Sequence, residues 1–338
     1  MSKLVLVTGA NGHIGCHVVR DLLQHGYRVR ALVRPNADLR GLDGVSGYET
    51  AHGDVQNADS LLKAAEGVDA IIHLAAVYKI NARNADEIVK PAVEGTQHIL
   101  AAAKAHGIQR VVYTSSIAAV GFSDSPEKPR GQNDWNEDAK DAYNFAKTVS
   151  EREAQKLAKE YGIHLVVICP AVVTGARDYK MTPSNALIRD LANFKAPTYP
   201  GGTNFVDVED VARAHVLALD KGEAGGRYII GSENVSLQQV GGIIHSITGK
   251  KPLYFPIARW WLLPIMKVLD GIAKKLGFSL PFSYEILHDF LQRWAYFDTR
   301  PAQQTFGLQA MPTAEAVKRS LQWLKSQNQL RASVSEKL

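Results

Sequence analysis

The stretch Leu4-Val5-Leu6-Val7-Thr8-Gly9-Ala10-Asn11-Gly12-His13-Ile14-Gly15 carries an apolar run straight into a glycine-spaced turn. Its four apolar residues suit a parallel strand covered on both faces. The three glycines let the backbone turn tightly and approach a pyrophosphate. Helix N–H groups beyond the turn would point at that anion, and the helix dipole adds positive potential. The spacing here is G-x-x-G-x-x-G, one residue longer in its first gap than the dinucleotide fingerprint. A glycine triplet alone is weak, since surface turns are glycine-rich. Between an apolar strand and a helical run over residues 16–25 it predicts a cofactor cradle of Gly9, Asn11, Gly12, His13, Ile14 and Gly15.

Around this entrance the chain alternates. Residues 27–33, 70–74, 110–114 and 164–169 read as strands, with a further strand before Gly53. Helical stretches at 58–66, 85–106 and 143–160 lie between them. Such alternation builds an α/β fold, a doubly wound parallel sheet of Rossmann type with helices on both faces. After Pro170 the pattern changes. Residues 176–206 read as loop-rich, with prolines at 183, 197 and 200, 207–220 as a helix and 227–230 as a returning strand. The expected organisation is a dinucleotide-binding unit over 1–175, rejoined by 207–230. A smaller interleaved substrate-binding cap would hold 176–206 and 231–330, leaving 331–338 as a tail.

The 338 residues carry a net charge of +5, with 46% hydrophobic and 22% charged residues, an ordinary globular balance. The positive excess suits an anionic cofactor but is spread along the chain, so no nucleic-acid surface is expected. The two cysteines, Cys16 and Cys169, sit among apolar residues and read as small buried hydrophobes. They build neither a disulfide framework nor a metal site, and no metal is expected. No secretory signal precedes the first strand and no apolar run reaches a membrane span, which makes the cytoplasm the expected location.

Further cofactor contacts follow from where strands end. In NAD-binding folds an acid often closes the second strand and holds the ribose hydroxyls. Here that end reads Ala31-Leu32-Val33-Arg34, with no acid. Arg34 suits a 2′-phosphate, so NADP is expected over NAD, with Arg40 as a candidate helper. A solvated arginine at a strand end is the plainer alternative. Asp54, beside Val55, can accept from the adenine amino group or simply close a turn. Leu74, Ala75 and Ala76 end the fourth strand with residues whose backbone can approach the cofactor, while His73 reads as a packed strand histidine.

Tyr143 and Lys147 share a helix face at i and i+4. A neighbouring ammonium stabilises phenolate, so Tyr143 can protonate a developing alkoxide or deprotonate an alcohol. Lys147 can also hold the nicotinamide ribose. Thr114-Ser115-Ser116 ends a parallel strand, where open α/β sheets bind ligands, and a serine there can orient a substrate oxygen. Pro170, Val172 and Val173 end the next strand and can fit against a nicotinamide ring.

In this order the motifs resemble the extended short-chain dehydrogenase/reductase family over about residues 3–325. Residues 204–212, 226–231, Phe297-Asp298 and 317–324 extend the likeness. The resemblance implies Ser116, Tyr143 and Lys147 as the catalytic triad. Residues 89–96 look like the dihydroflavonol-reductase-like branch, whose members reduce ketones or aldehydes with NADPH. Sugar-modifying relatives usually show Asn-Val-x-Gly-Thr there, and Ala92 takes the Asn position. Residues 78–83 and the C-terminal third also resemble hopanoid-associated sugar epimerase-like proteins. An NADP(H)-dependent carbonyl reductase is therefore the expected function. The rivals are a nucleoside-sugar epimerase or dehydratase, with Arg189, Arg213, Arg227 and Arg293 as candidate diphosphate clamps, and a non-catalytic NADP sensor. Many relatives dimerise through helices flanking the Tyr/Lys helix, so a homodimer is among the implied assemblies.

The substrate side rests on residues 176–206 and 251–290. Trp261, Leu262, Ile265, Leu269 and Ile272 fall at helical spacing, with Lys267, Asp270 and Lys274 on another face. The plain expectation is a helix packed on the core. A lid over an apolar or aromatic carbonyl compound and a surface touching membrane lipid are the alternatives. Pro264 is expected to bend or start the helix.

Overall fold

A computed structural model describes residues 2–75, 85–256, 258–275 and 283–338, with the backbone alone for Lys274. The quoted stretch forms β1 (Leu4–Thr8), buried along its whole length, and then α1 (His13–Gln24). The helix starts three residues earlier than expected because Gly12, extended at φ −80° and ψ 173°, already serves as its N-cap. Next come β2 (Arg28–Val33), β3 (Tyr48–His52), α2 (Ala58–Ala64), β4 (Ala70–His73) and α3 (Asp86–Ala105). They are followed by β5 (Arg110–Thr114), the single turn α4 (Ile117–Val120), α5 (Ala142–Tyr161) and β6 (His164–Pro170). Seven strands align in the order β3-β2-β1-β4-β5-β6-β9, where β9 is Arg227–Ile230, and every pairing in this sheet is parallel. α3 packs on α5, and α1 packs on α7 (Val208–Lys221). The strand order reverses at β1 and β4, so their C-terminal ends form the crevice where such sheets bind ligands.

The loop-rich residues 176–206 carry two regular elements. β7 (Val172–Thr174), α6 (Pro183–Ala192) and β8 (Gly202–Asp207) lie in or beside them. Pro183 sits at the start of α6, where its fixed φ suits a helix and its missing N–H costs nothing. A second sheet has the order β10-β8-β7, with β10 at Asn234–Ser236. Around it lie α8 (Leu237–Thr248), α9 (Arg259–Lys275), α10 (Tyr284–Phe290), α11 (Arg300–Phe306), α12 (Thr313–Ser326) and α13 (Ala332–Ser335). Ile188, Phe205, Val240, Ile244 and Leu321 form a core separate from that of the large sheet. Val334, in the stretch expected to be a tail, is fully buried in it.

The expectation for α9 is overturned. Trp261, Ile265, Leu269 and Ile272 are exposed; the half-buried or buried residues include Leu262, Leu263, Met266, Asp270 and Ala273, so of the expected stripe only Leu262 turns inward. Apolar spacing reports that a helix has two faces but not which one meets the core. Pro264 lies inside this helix.

One buried ion pair ties α5 to the sheet. Glu151 is completely buried and Arg227, the first residue of β9, nearly so; their Oε1 and Nε stand 2.5 Å apart. Ser115 donates its hydroxyl to the same carboxylate. Arg227 also donates to the carbonyls of Gln132 and Asp134, and its guanidinium lies 4.2 Å over the Trp135 ring. Removing one member of such a pair strands the other charge. Arg227→Met should therefore cost about 3–5 kcal/mol in denaturant unfolding. The double variant Arg227→Met/Glu151→Leu should recover most of that loss; a double variant as unstable as the single one would show that packing, not charge, is at stake.

Candidate active site

The strand ends set out the candidate residues in a row. Gly9 follows β1, Arg34 follows β2, Asp54 lies just past β3, Leu74 and Ala75 follow β4, Ser116 lies just past β5, and Pro170 ends β6. Adjacent strands bring these ends together, as in the Gly53 N–H donating to the Val33 carbonyl at 3.1 Å.

The glycine turn is close-packed on one side and open on the other. Gly9 sits at φ +69°, and a Cβ there would lie 3.0 Å from the Ala75 nitrogen. A Cβ on Gly15 would lie 2.1 Å from the Gly9 carbonyl oxygen, so no other residue fits. At Gly12 an added Cβ meets only that same oxygen, at 3.2 Å. No side chain caps α1 and no acid stands in its first turn. An uncapped, acid-free helix start behind glycine is fitted to an anion. Asn11 donates to the Asp38 carbonyl at 3.0 Å, and His13 is buried, which lowers its pKa and keeps it neutral.

Thr8 fastens this turn to β4. Its hydroxyl oxygen accepts from the N–H groups of Leu74 and Ala75 at 3.2 and 3.1 Å, leaving its proton for His73 Nδ1 at 2.9 Å. His73 is buried against the Tyr113 ring, and burial lowers its pKa to about 3. It is a neutral strand histidine, as expected. Ala76 lies outside the described residues.

At the adenosine end Arg34 is exposed, and its side chain has no partner among the described residues. Arg40 differs: it grips Asp38 at 2.7 Å and stacks over Tyr179, so it is already engaged. Asp54 accepts from the Gln56 N–H at 2.9 Å, the geometry of a turn aspartate.

A cleft gathers Val55, Ala75, Thr114, Tyr143 and Lys147, with Ile88, Pro91 and Ala92 on its wall. Tyr143 opens α5 behind its N-cap Asp141, and Lys147 follows one turn later. Ser116 caps α4, accepting from the Ala118 N–H at 3.1 Å. Val172 and Val173 belong to β7, past the end of β6, with Val173 buried. Two positioning groups had no sequence signal. Asp289 of α10, buried, accepts from the N–H groups of Lys140 and Asp141 at 3.2 and 3.0 Å and from Asn144 Nδ2 at 2.7 Å. It holds the start of the Tyr143 helix from 148 residues away. His215 Nδ1–H donates to the Val211 carbonyl, so Nε2 accepts from the Thr114 hydroxyl at 2.8 Å.

Lys147 is buried, with its Nζ 3.4 Å from the Thr114 carbonyl, and burial lowers its pKa to about 8. Its folded pKa lies below the unfolded one. The cost of holding it charged is therefore full below about pH 8 and disappears as pH rises through the ordinary lysine range. Cofactor-free Lys147→Met should gain about 1–2 kcal/mol in thermal unfolding near neutral pH. The gain should vanish in alkaline buffer; a variant that melts lower than the parent at neutral pH would contradict it.

The model of the NAD dependent epimerase/dehydratase family matches residues 5–231. The chain is 32% identical over 332 residues to a "Putative dihydroflavonol 4-reductase" of Synechocystis, covering 96% of each. It is 36% identical over 244 residues to "Cinnamoyl-CoA reductase 1" of Petunia hybrida, covering 67% of this chain and 72% of that one. Among solved structures, the one titled "Crystal structure of gox2253" superposes with a TM-score of 0.86 at 30% identity, covering 98% of this chain and 100% of the other. With the match running from β1 to the end of β9, the chain belongs to the NAD dependent epimerase/dehydratase family, the extended short-chain dehydrogenases/reductases.

Proposed function

We propose that this protein is an NADP(H)-dependent reductase converting a ketone or aldehyde to an alcohol through Ser116, Tyr143 and Lys147. The observation that carries the reading is that Tyr143 and the buried Lys147 line one cleft where β4 and β5 end. The open glycine turn would hold the cofactor pyrophosphate, with Asp54, Val55, Leu74 and Ala75 along its length and Pro170, Val172 and Val173 at the nicotinamide end. Arg34 would grip a 2′-phosphate. When bound, the cofactor supplies the hydride for the carbonyl carbon.

The chain's own residues manage the oxygen. Negative charge develops there as the carbonyl is reduced, and donors placed in advance lower the barrier. Ser116 and Tyr143 donate hydrogen bonds to that oxygen, and Tyr143 delivers the proton. Lys147 would stabilise the phenolate through its charge and hold the ribose. Burial that lowers Lys147 to about 8 leaves it protonated at neutral pH, so the field on Tyr143 is present where the enzyme would work.

An apolar or aromatic substrate is favoured by the Ile88, Pro91 and Ala92 wall and by the names of the reductase relatives. The α9 stripe no longer supports this reading as a lid, since it faces outward. A diphosphate-sugar substrate is disfavoured by the engagement of its expected clamps. Arg189 pairs with Asp190, Arg213 with Asp21, Arg227 with Glu151 and Arg293 with Asp124.

Tyr143→Phe removes only a hydroxyl. Turnover of an accepted carbonyl compound should fall by roughly a hundredfold or more while cofactor affinity holds. Single-turnover NADPH oxidation measures this: a wild-type rate would sink the mechanism, whereas a parent that oxidises no NADPH with any carbonyl compound would leave the NADP sensor. Arg34→Asp should weaken NADPH by about tenfold or more and leave NADH nearly unchanged. Titration of both cofactors decides it, and an unchanged affinity ratio would remove Arg34 from the site.

A further inference from the structure

The side of α9 that faces away from the protein is apolar along its length. Trp261, Ile265, Val268, Leu269 and Ile272 are 43%, 48%, 62%, 47% and 49% exposed. At 3.6 residues per turn they fill one arc of about 100°. Trp260, at the start of the helix, is 80% exposed. The chain just before it adds exposed Leu253, Tyr254 and Phe255. A contiguous apolar surface of this kind marks a contact, not an ordinary monomer surface.

Charge says what the contact is with. Residues 250–275 contain Lys250, Lys251, Arg259, Lys267, Lys274 and Lys275 against a single acid, Asp270, which is buried on the inner face. Lys251, Lys267 and Lys275 are exposed, and Lys275 borders the stripe. A protein partner with an apolar groove needs no such one-sided charge. An anionic lipid surface rewards it, since lysines meet headgroups while the stripe enters the acyl boundary. Tryptophans at one end of the helix suit the same boundary. No helix among the described residues is long and apolar enough to cross a membrane, so α9 would lie in the plane of the interface.

We propose that the outer face of α9 docks this protein on an anionic bilayer surface. The proposal stands apart from the reductase reading: it uses none of the cleft residues and is read out without activity. α9 packs on α10, whose Asp289 holds the first turn of α5. Docking would thus place the lipid surface two packed elements from the Tyr143 helix.

The test is flotation of the full chain with phosphatidylcholine vesicles, with and without about one-third phosphatidylglycerol. Protein should float with the anionic vesicles, release as salt rises, and show blue-shifted tryptophan emission when bound. Val268→Asp/Ile272→Asp, at two exposed positions, should abolish flotation while circular dichroism and melting stay those of the parent. Lys267→Glu and Lys275→Glu should each weaken binding by about fivefold. Failure of the parent to float with anionic vesicles overturns the proposal. So does equal flotation of the Val268→Asp/Ile272→Asp variant. Sedimentation showing a dimer that this variant splits, with no flotation, would assign the face to a second copy and overturn the lipid reading as well.

Discussion

The buried pair between Glu151 and Arg227 is the constraint on which the site hangs. Two charges with almost no exposure are kept from water, and further hydrogen bonds help their attraction to repay that loss. Ser115, the Gln132 and Asp134 carbonyls and the Trp135 face complete the set. Glu151 stands one helical turn beyond Lys147 and two beyond Tyr143 on α5. Its partner opens β9, which joins the sheet only after the chain has made β7, α6 and β8. The orientation of the Tyr143–Lys147 face thus depends on a strand that arrives late in the chain.

Other buried polar contacts hold the same region from different sides. Thr8 joins the glycine turn to the end of β4, and Asp289 joins α10 to the first turn of α5. His73 and His215, both lowered well below their ordinary range by burial, act as neutral links and not as proton carriers. Lys147 is different in kind. It has been taken out of water, and a long contact to the Thr114 carbonyl and the attraction of Glu151 offset that only in part. It lines the same cleft as Tyr143, and strongly perturbed titratable groups cluster at functional sites.

The outer half of the molecule follows a different logic. Its own apolar core, from Ile188 to Val334, settles the cap without using the stripe of α9. That helix turns Leu262, Leu263, Met266, Asp270 and Ala273 inward and leaves its apolar stripe exposed. The wall of the cleft comes from α3, and the cap adds an outer surface.

By itself the sequence determined the parallel sheet, its glycine entrance and the shared face of Tyr143 and Lys147. These depend on local chemistry: apolar runs, the positions where only glycine fits, and the i, i+4 geometry of a helix. β5 and β9 even begin and end where their residues indicate. Tertiary structure alone decided three things. It brought Asp289 to the start of α5 and Arg227 to Glu151, across separations that no periodicity encodes. It set Arg40 over the Tyr179 ring, which comes from a part of the chain far from β2. It turned the apolar side of α9 outward, because spacing fixes that a helix has two faces while the shape of its neighbours chooses which one is covered.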